Sequence, residues 1–424
     1  MAEFEPVEDQ IQAETLVVGG GIAGMTAAIE TAETDRKVIL VEKLPSIGGR
    51  VAAMNQYFPK LCPPACGIEI NLKRMRINAN IRVLTLAEVE KVAGKPGDYE
   101  VTIKLSPRYV SGRCTACGDC EKVCEIERDN DFNYGLDKTK AVYLPHMMAY
   151  PLRYVIDEKH AGDSGMKKCV EACKVDAIDL DMKARTITAR VGAIVWATGW
   201  RPYDATRLDT LGYGKLDNVI TNVIMERLAA ENGPTEGKIL RPSDKKEPGS
   251  VGFVQCAGSR DENHLPYCSA ICCLASMKQA TYLRSLYPDT EIHFFYIDVR
   301  APGRLEDFYT KVQEDGKFHF HRGKVARITE GSGGNLVLEA ENTMTGDITK
   351  QEVELAVLAT GMVPNTADDP PPLSTPLDDF GFIAPDTGKG VIGAGTAVRP
   401  FDVSASVQDA TGAALKAITL RIRS

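Results

Sequence analysis

The chain has 424 residues, which suggests about two to four domains, and its 44% hydrophobic and 25% charged residues are typical of globular proteins. Its net charge is −8, so no overall positive field would draw it to nucleic acid or to anionic lipid. The acidic start MAEFEPVEDQ and the lack of long apolar runs argue against a signal peptide and a membrane span. Any membrane attachment is therefore expected through partner proteins.

The cysteines are the most informative part of the composition. All 12 fall in groups, at positions 62, 66, 114, 117, 120, 124, 169, 173, 256, 268, 272 and 273. Without a secretion signal, clustered thiols indicate metal ligands or redox groups more often than structural disulfides. This usage argues against a hydrolase or a scaffold protein.

Residues 14–43 have the pattern of a β-α-β unit, with an apolar run, a glycine turn, a small-residue helix and a second apolar run. Gly19, Gly21 and Gly24 form a G-x-G-x-x-G motif at the turn. These glycines allow a tight turn, close approach of the backbone to a pyrophosphate, and packing of the helix on the strand. Glu42 ends the second strand, where a carboxylate can bind ribose hydroxyls. The unit predicts a dinucleotide site.

Later elements favour FAD over NAD. Gly48-Gly49-Arg50 offers another close backbone approach with a cation for phosphate, and two Ala-Thr-Gly turns end at Gly199 and Gly361. This pattern resembles thioredoxin reductase-type flavoproteins, an α/β fold with two dinucleotide-binding domains. Thr396 occupies the place where many such flavoproteins have an acid. The further candidate FAD contacts are Lys43, Gly48, Gly49, Arg50, Val89, Thr198, Gly199, Gly361, Gly395 and Thr396.

The sequence CTACGDCEKVC has the C-x2-C-x2-C-x3-C spacing of bacterial ferredoxins. In two-cluster ferredoxins the fourth cysteine serves the other cluster, so Cys114, Cys117 and Cys120 are expected to hold a 4Fe–4S cluster together with Cys173. Tetrahedral zinc is the alternative for such a thiolate set. This segment is predicted to be a ferredoxin-like domain inserted into the FAD domain.

Cys124 and Cys169 are left with half of a second ferredoxin site. Cys62 and Cys66, in the sequence CPPAC, follow the Gly-Gly-Arg element on the flavin side. One hypothesis is that these four cysteines complete a second cluster near the flavin. The alternative is that they are relict thiols, packed as small hydrophobic residues.

The chain is predicted to comprise five segments. They are 1–107 (first part of the FAD domain), 108–181 (inserted iron–sulfur domain), 182–250 (FAD-domain strand and linker), 251–361 (second nucleotide-fold domain) and 362–424 (last part of the FAD domain). The second nucleotide-fold domain has no glycine loop after the strand that begins at Val251, since the turn reads QCAGSR. We therefore expect it to lack an NAD(P) site.

That turn opens a third cysteine group, formed by Cys256, Cys268, Cys272 and Cys273. The C-x11-C-x3-C-C spacing is a moderate signal for an unconventional cluster. Cys272 and Cys273 are predicted to start a helix, where the helix dipole favours thiolates. A reactive disulfide is the competing interpretation.

The stretch VQCAGSRDENHLPYCSAICCLASMKQA (254–280) resembles the A subunit of heterodisulfide reductase. Matching blocks include FNYGLDKTKAVYLPHMMAYPLRYVID (132–157), GPTEGKILRPSDKKEPGSV (233–251), FYIDVRAPGRLEDFYTKVQEDG (295–316) and GAGTAVRPFDVSASVQDATGAA (393–414). Together these blocks extend over most of the chain. The resemblance implies an FAD and iron–sulfur oxidoreductase subunit, and it supports a cluster at the third cysteine group.

Full-length members of that family carry further segments at both ends, and the short form resembles the A subunit of the quinone-interacting membrane-bound oxidoreductase of sulfate reducers. That resemblance implies two partners, a larger homologous FAD and iron–sulfur subunit and, in the membrane, a haem-bearing subunit. It also implies electron exchange between the menaquinone pool and adenylylsulfate reductase, in a cytoplasmic protein attached peripherally to the membrane. No nucleic-acid partner is expected.

Two other functions are consistent with the residues. An NAD(P)H-dependent flavin disulfide reductase would use Cys62 and Cys66, but the missing second glycine loop argues against it. A non-catalytic assembly subunit would retain the flavin and the cysteines as structural remnants. No acid–base constellation for a substrate stands out, and His146 is interpreted as an ordinary packed histidine.

Overall fold

The computed structural model describes residues 8–385 and 390–422. The strands are β1 (Gln10–Val18), β2 (Val38–Glu42), β3 (Ile81–Thr85), β4 (Ala87–Lys95), β5 (Asp98–Leu105), β6 (Glu127–Asp129), β7 (Lys138–Lys140), β8 (Val142–Tyr143), β9 (Val155–Ile156), β10 (Arg185–Trp196), β11 (Trp200–Pro202), β12 (Val219–Thr221), β13 (Ser250–Ala257), β14 (Glu291–Tyr296), β15 (Phe318–Arg322), β16 (Lys324–Glu330), β17 (Leu336–Glu341), β18 (Ile348–Val353), β19 (Leu355–Thr360), β20 (Met362–Pro364) and β21 (Val391–Gly393). The α-helices are α1 (Ile22–Ala32), α2 (Pro64–Ile77), α3 (Asp119–Val123), α4 (Met166–Glu171), α5 (Asn222–Ala229), α6 (Cys272–Leu286), α7 (Leu305–Gln313) and α8 (Val403–Ile422).

The first domain is built on a seven-stranded sheet of order β3-β2-β1-β10-β5-β4, with β21 also paired to β10. Strands β3, β2, β1, β10 and β21 pair in parallel, whereas β5 and β4 form an antiparallel extension. Apolar cores fill both faces, because the central strands alternate buried side chains between them. The pairing of β21 with β10 shows that the chain returns to this sheet near its C-terminus.

The segment between β5 and β10 leaves the sheet and forms a small separate unit. It contains α3, α4 and two short two-stranded sheets, and its core includes the buried Cys120, Cys124 and Cys169. Its core also contains larger side chains, among them Tyr109, Tyr154 and Met166. This unit corresponds to the sequence that we predict to be ferredoxin-like.

The second domain has a five-stranded parallel sheet of order β12-β19-β13-β14-β15. Helices α5, α6 and α7 contribute to the core on one face, and the antiparallel sheet β16-β17-β18 packs on the other. Strand β12 and helix α5 lie within residues 182–250, where we predicted a linker. Part of that segment therefore builds the second domain, because its apolar residues Ile220, Ile224 and Met225 pack into the second core.

A buried arginine links three parts of the molecule. Arg227 on α5 has no exposed surface, and its guanidinium donates to Asn133 Oδ1 (2.8 Å), to the carbonyl of Ala53 (3.2 Å) and to that of Asn232 (2.9 Å). It also lies over the ring of Phe132, 4.6 Å from the centroid. The second domain is thus joined to both the inserted unit and the FAD domain.

Among the described residues, no helix has the length and apolar character that crossing a bilayer requires.

Because α1 packs closely on the end of β1, we predict that a larger residue at Gly24 destabilises the protein. A Cβ atom added at Gly24 would lie 1.8 Å from the carbonyl oxygen of Gly19, so the helix would have to move away from the glycine turn. We expect Gly24→Ala to lower the free energy of unfolding by about 1–3 kcal/mol or more, measured by urea denaturation. Gly412→Ala is the matched control, because nothing lies within 4 Å of the added Cβ on α8. An equal loss in both variants would contradict the packing role of Gly24.

Candidate functional site

A cavity of about 860 Å³ lies where the FAD domain, the inserted unit and the second domain meet. Many of the predicted FAD contacts line it, namely Gly19, Gly21, Glu42, Lys43, Gly49, Arg50, Thr198, Gly199 and Thr396. The N-terminus of α1 also faces the cavity through Ile22 and Ala23. Unpaired backbone N–H groups and the helix dipole make such a helix start a favourable site for a pyrophosphate.

Glu42 shapes the glycine loop. One of its carboxylate oxygens accepts a hydrogen bond from the Gly20 N–H at 2.6 Å, and the other accepts from the Leu44 N–H at 2.8 Å. Burial raises the pKa of Glu42, against the effect of these two donors. Each carboxylate oxygen can accept a second hydrogen bond, so the side chain can still receive ribose hydroxyls from the cavity.

Three of the glycines that were predicted to contact FAD lie next to the cavity but do not line it. Gly24 provides the helix–strand contact described above. The Gly48 N–H donates to the Gly20 carbonyl at 2.8 Å, and its φ of +123° requires glycine. Gly395 has a φ of +61°, and a Cβ there would lie 2.6 Å from Ala23 Cβ. Their contribution is to bring backbone segments together around the dinucleotide site.

Asp409 supplies an acid at the C-terminal return. Its carboxylate accepts a hydrogen bond from the Gly395 N–H at 2.7 Å, from the first half of α8. Many flavoproteins of this type have an acid at the position where this chain has Thr396. Asp409 approaches the turn because α8 packs back onto it, but Asp409 is not among the residues that line the cavity.

Two other predicted contacts, Val89 and Gly361, do not line the cavity. Val89 is a half-buried residue of β4, in the antiparallel extension of the first sheet. Gly361 packs against the loop that follows Cys256, since a Cβ added at Gly361 would lie 2.3 Å from Ser259 Oγ. Neither residue lines the cavity, so their assignment as FAD contacts has no support from this arrangement.

The inserted unit forms one wall of the cavity, in part through His146. His146 Nε2 lies 3.1 Å from Ser46 Oγ and 3.2 Å from the Ile47 carbonyl, and the ring stacks on Phe132. Burial lowers the pKa of His146, which favours the neutral imidazole. The buried Nδ1 atom of His146 and the buried Oγ1 atom of Thr198 have no hydrogen-bond partner among the described residues. Such buried polar groups without partners are consistent with a site built for a bound polar cofactor.

The second domain forms the opposite wall with a buried ion pair. Lys278 Nζ lies 2.8 Å from Glu226 Oε1, and their side chains are only 3% and 7% exposed. Glu226 also accepts from Gln279 Nε2 at 2.7 Å and from the Asn55 N–H at 3.1 Å. Both charged residues line the cavity. The pair was not predictable from the sequence, because Glu226 and Lys278 are separated by 52 positions and neither stands in a recognisable motif.

The inserted unit contains a second, much smaller cavity lined by four cysteines. Cys114, Cys117, Cys120 and Cys173 surround about 20 Å³ of space together with the ring of Tyr154. Burial and the neighbouring thiols of Cys114 and Cys173 raise the pKa of Cys120 to about 12. The fold thus brings together the four cysteines that ferredoxin spacing predicts for one cluster.

The other four cysteines of this half of the chain lie as two separate pairs. Cys124 and Cys169 are buried in the core of the inserted unit, where their thiols hydrogen-bond. Cys62 and Cys66 lie at the start of α2 and contact each other, with Cys62 packed against the FAD-domain core. The structure does not gather these two pairs around one point, so this arrangement does not favour the shared second cluster.

The third cysteine group lies at the end of β13 and the start of α6. Cys256 has a φ of +56° at an irregularity in β13, while Cys272 and Cys273 begin α6. Burial and the neighbouring thiols Cys273 and Cys268 raise the pKa of Cys256 to about 11, against the effect of Arg260. Cys272 also lines the large cavity, alongside Ile271 and Ala275. This group therefore borders the candidate FAD site.

The cysteine thiols described above are not arranged to bind a single metal ion. In the described ranges, no group of three or more His, Cys, Asp or Glu side chains is close enough to hold one ion. Four thiolates on one zinc would be about 3.8 Å apart, given a zinc–sulfur bond of about 2.3 Å. A cubane attaches each thiolate to a different iron and therefore accepts a wider cysteine set.

Comparisons with known proteins identify relatives of this chain. The family described as FAD dependent oxidoreductase matches residues 14–61. The chain is 39% identical, over 99% of its length, to an iron–sulfur A subunit of the CoB–CoM heterodisulfide reductase of Methanopyrus kandleri. It is 40% identical, over 96% of its length, to the corresponding A subunit of Methanocaldococcus jannaschii. The chain belongs to the family of heterodisulfide reductase A subunits.

The chain spans 66% of the length of the first of these relatives and 64% of the second. Both are named as iron–sulfur subunits, and the N-terminal match is to an FAD oxidoreductase, which agrees with both predicted cofactors. The family resemblance inferred from the cysteine-rich stretch is thereby confirmed, and the predicted oxidoreductase class agrees with these matches.

Solved structures confirm the predicted fold of this heterodisulfide reductase A-like chain. Thioredoxin reductase of Lactococcus lactis superposes with a TM-score of 0.52 at 14% identity, covering 97% of this chain and all of that protein. Thioredoxin reductase of T. acidophilum gives 0.51 at 14% identity, covering 97% of this chain and 99% of that one. At this level of identity the similarity concerns the fold alone.

The Lys278–Glu226 pair leads to a prediction about stability. Lys278→Met leaves a buried carboxylate without its cation, so we expect the free energy of unfolding to fall by about 3–5 kcal/mol. Adding Glu226→Gln should recover part of that loss, because the remaining amide carries no charge. Urea denaturation measures both variants. Lys138→Ala removes an exposed ion pair with Asp129 and should leave the stability nearly unchanged, because water screens such a pair. A similar small cost for Lys278→Met would contradict the importance of the buried pair.

Proposed function

We propose that this heterodisulfide reductase A-like chain is an electron-transfer subunit that holds FAD in the large cavity and iron–sulfur clusters at two cysteine groups. The observation that carries the proposal is the position of Cys272. It belongs to the third cysteine group and lines the same cavity as Gly19 and Gly21. A redox centre at these thiols would border the dinucleotide directly.

The residues around the cavity are suited to FAD. The glycine loop and the start of α1 offer N–H groups for a pyrophosphate, and Glu42 offers oxygens for a ribose. Arg50 lies partly buried at the cavity, where it hydrogen-bonds to the Trp200 carbonyl and lies over the indole ring. When bound, FAD supplies a two-electron store that can exchange single electrons with iron–sulfur clusters.

The arrangement of the second domain favours electron transfer to the flavin from thiolate-bound clusters over hydride transfer from a nicotinamide. In a dinucleotide-binding fold, the pyrophosphate lies between the end of the first strand and the start of the following helix. In this domain that position, between β13 and α6, is occupied by Cys256, Cys272 and Cys273. The same backbone amides cannot serve a cluster and a pyrophosphate at once, which disfavours an NAD(P)H-dependent reductase.

We further propose that the chain passes electrons between the menaquinone pool and adenylylsulfate reductase in dissimilatory sulfate reduction. Its partners would be a larger homologous FAD and iron–sulfur subunit and, in the membrane, a haem-bearing subunit, which would attach it to the cytoplasmic face. The resemblance of its sequence blocks to the short A subunit of the quinone-interacting oxidoreductase supports this role. Co-purification of these partners with the tagged chain from its native cells tests it, and their absence under mild detergent would count against it.

Cofactor content tests the core of the proposal. After anaerobic purification we expect about one FAD and about eight irons with matching sulfide per chain. Dithionite should bleach the flavin and give cubane EPR signals, whereas NADH and NADPH should leave it oxidised. Rapid bleaching by either nicotinamide would favour the disulfide-reductase alternative, and zinc without sulfide would overturn the electron-transfer role.

Two serine variants distinguish cysteines that bind a cluster from cysteines that do not. Cys120→Ser should remove about four irons per chain and leave FAD bound, since Cys120 lines only the smaller cavity. Cys169→Ser is the matched control, because this equally buried thiol lies outside that cavity. Iron and flavin counts check both variants. A loss of iron in the control would instead assign Cys169 to a cluster.

A further inference from the structure

Arg260 lies at the third cysteine group, in the turn that follows Cys256. The Ser259 N–H donates to the Cys256 carbonyl at 3.2 Å, which folds this turn back toward the end of β13. The Arg260 N–H donates at 3.1 Å to the carbonyl of Tyr267, the residue before Cys268. Backbone hydrogen bonds therefore hold Arg260 close to two of the four cysteines.

The side chain of Arg260 extends toward a third cysteine of the group. Its Nη1 atom lies 2.7 Å from Asp298 Oδ1, and the Asp298 carbonyl lies 3.8 Å from Cys273 Sγ. Asp298 also pairs with Arg300, whose Nε atom lies 3.1 Å from the same carboxylate oxygen. Two guanidinium groups thus share one carboxylate, which leaves one net positive charge beside the thiols.

The two arginines differ in their exposure to water. The side chain of Arg260 is 26% exposed, whereas that of Arg300 is 54% exposed. Burial would lower the pKa of Arg260, but its hydrogen bond to Asp298 and the thiolates of Cys256 and Cys268 raise it. Because water and salt screen exposed charges, the charge of Arg260 acts on the thiols with less screening than that of Arg300.

The same turn holds buried polar groups without hydrogen-bond partners. Gln255, the residue before Cys256, is only 3% exposed, and neither its Nε2 nor its Oε1 atom has a partner within the described part of the chain. The buried Oγ atom of Ser259 has none among those residues either. Such groups are expected where a further polar group binds. The sulfurs of an iron–sulfur cluster accept hydrogen bonds, so these residues fit a cluster at this position.

We propose that Arg260 raises the reduction potential of the iron–sulfur cluster at the third cysteine group. The inference rests on the cluster proposed above for this group. Reduction adds one electron, and hence one negative charge, to a cluster, so a fixed positive charge nearby stabilises the reduced form more than the oxidised form. A higher potential favours electron transfer from the reduced flavin to this cluster, since Cys272 lines the cavity proposed for FAD.

Potentiometric titration followed by EPR measures this effect in the purified, cofactor-loaded chain. Dithionite is the reductant, and the signal of the third cysteine group is the one that persists in Cys120→Ser. We expect Arg260→Gln to lower the ratio of reduced to oxidised cluster at a fixed potential at least about tenfold, which is a shift of about 59 mV for a one-electron couple. Arg260→Lys keeps the charge and should retain most of the parent potential.

Arg300→Gln is the matched control, because it removes the other guanidinium from the same carboxylate. Its shift should be at most about half of that in Arg260→Gln, since the Arg300 side chain is more exposed. Asp298→Asn loses a negative charge and should therefore raise the potential, which keeps the proposal testable if Arg260→Gln binds less iron. The EPR signal of the inserted unit should not shift in any of these variants.

An unchanged potential in Arg260→Gln, or equal shifts in Arg260→Gln and Arg300→Gln, would overturn the proposal. An equal shift in Arg260→Lys would also overturn it, since the side chain would then act through packing and not through its charge. An unchanged or lowered potential in Asp298→Asn would count against it in the same way. These results leave the proposed function intact, because the cluster is still present. A parent protein without a second cubane signal would instead contradict the proposed cluster itself.

Discussion

The candidate site depends on one buried guanidinium. Arg227 comes from the second domain, yet its hydrogen bonds end on Asn133 of the inserted unit and on the Ala53 carbonyl of the FAD domain. A charge without exposure is tolerated only where its donors are satisfied, so these contacts fix how the three parts meet. The cavity lies at that meeting point. Its walls are consequently set by the interlocking of the parts and not by the FAD domain alone.

The cysteines show how a common fold acquires different chemistry. The thioredoxin reductase-like sheets place a strand end and a helix start at two equivalent points, after β1 and after β13. At the first point the chain carries glycines, which leave backbone amides open to a pyrophosphate. At the second it carries Cys256 and Cys272, which suit iron. Local residue chemistry thus distinguishes two topologically similar positions.

Local patterns accounted for the parts of the site that lie close together in the sequence. The glycine loop, Glu42 and the four ferredoxin-type cysteines are each defined by short spacings, and the fold brings them into the expected cavities. Contacts between distant segments were not predictable in this way. Asp409 accepts a hydrogen bond from the Gly395 N–H, and strand β12 joins a sheet from a segment interpreted as a linker, because packing decides both.

The sequence by itself determined the β-α-β unit and the cysteine sets, since these follow from periodicity, spacing and residue type. Its resemblance to known proteins indicated the class of flavoprotein fold and the family. Only the tertiary structure decided that Cys272 borders the large cavity, that Lys278 pairs with Glu226 and that Cys62 and Cys66 stand apart from Cys124 and Cys169. The physical reason is that spacing along the chain constrains neighbours within a loop or a helix turn. Burial and the docking of separate units decide which distant side chains meet.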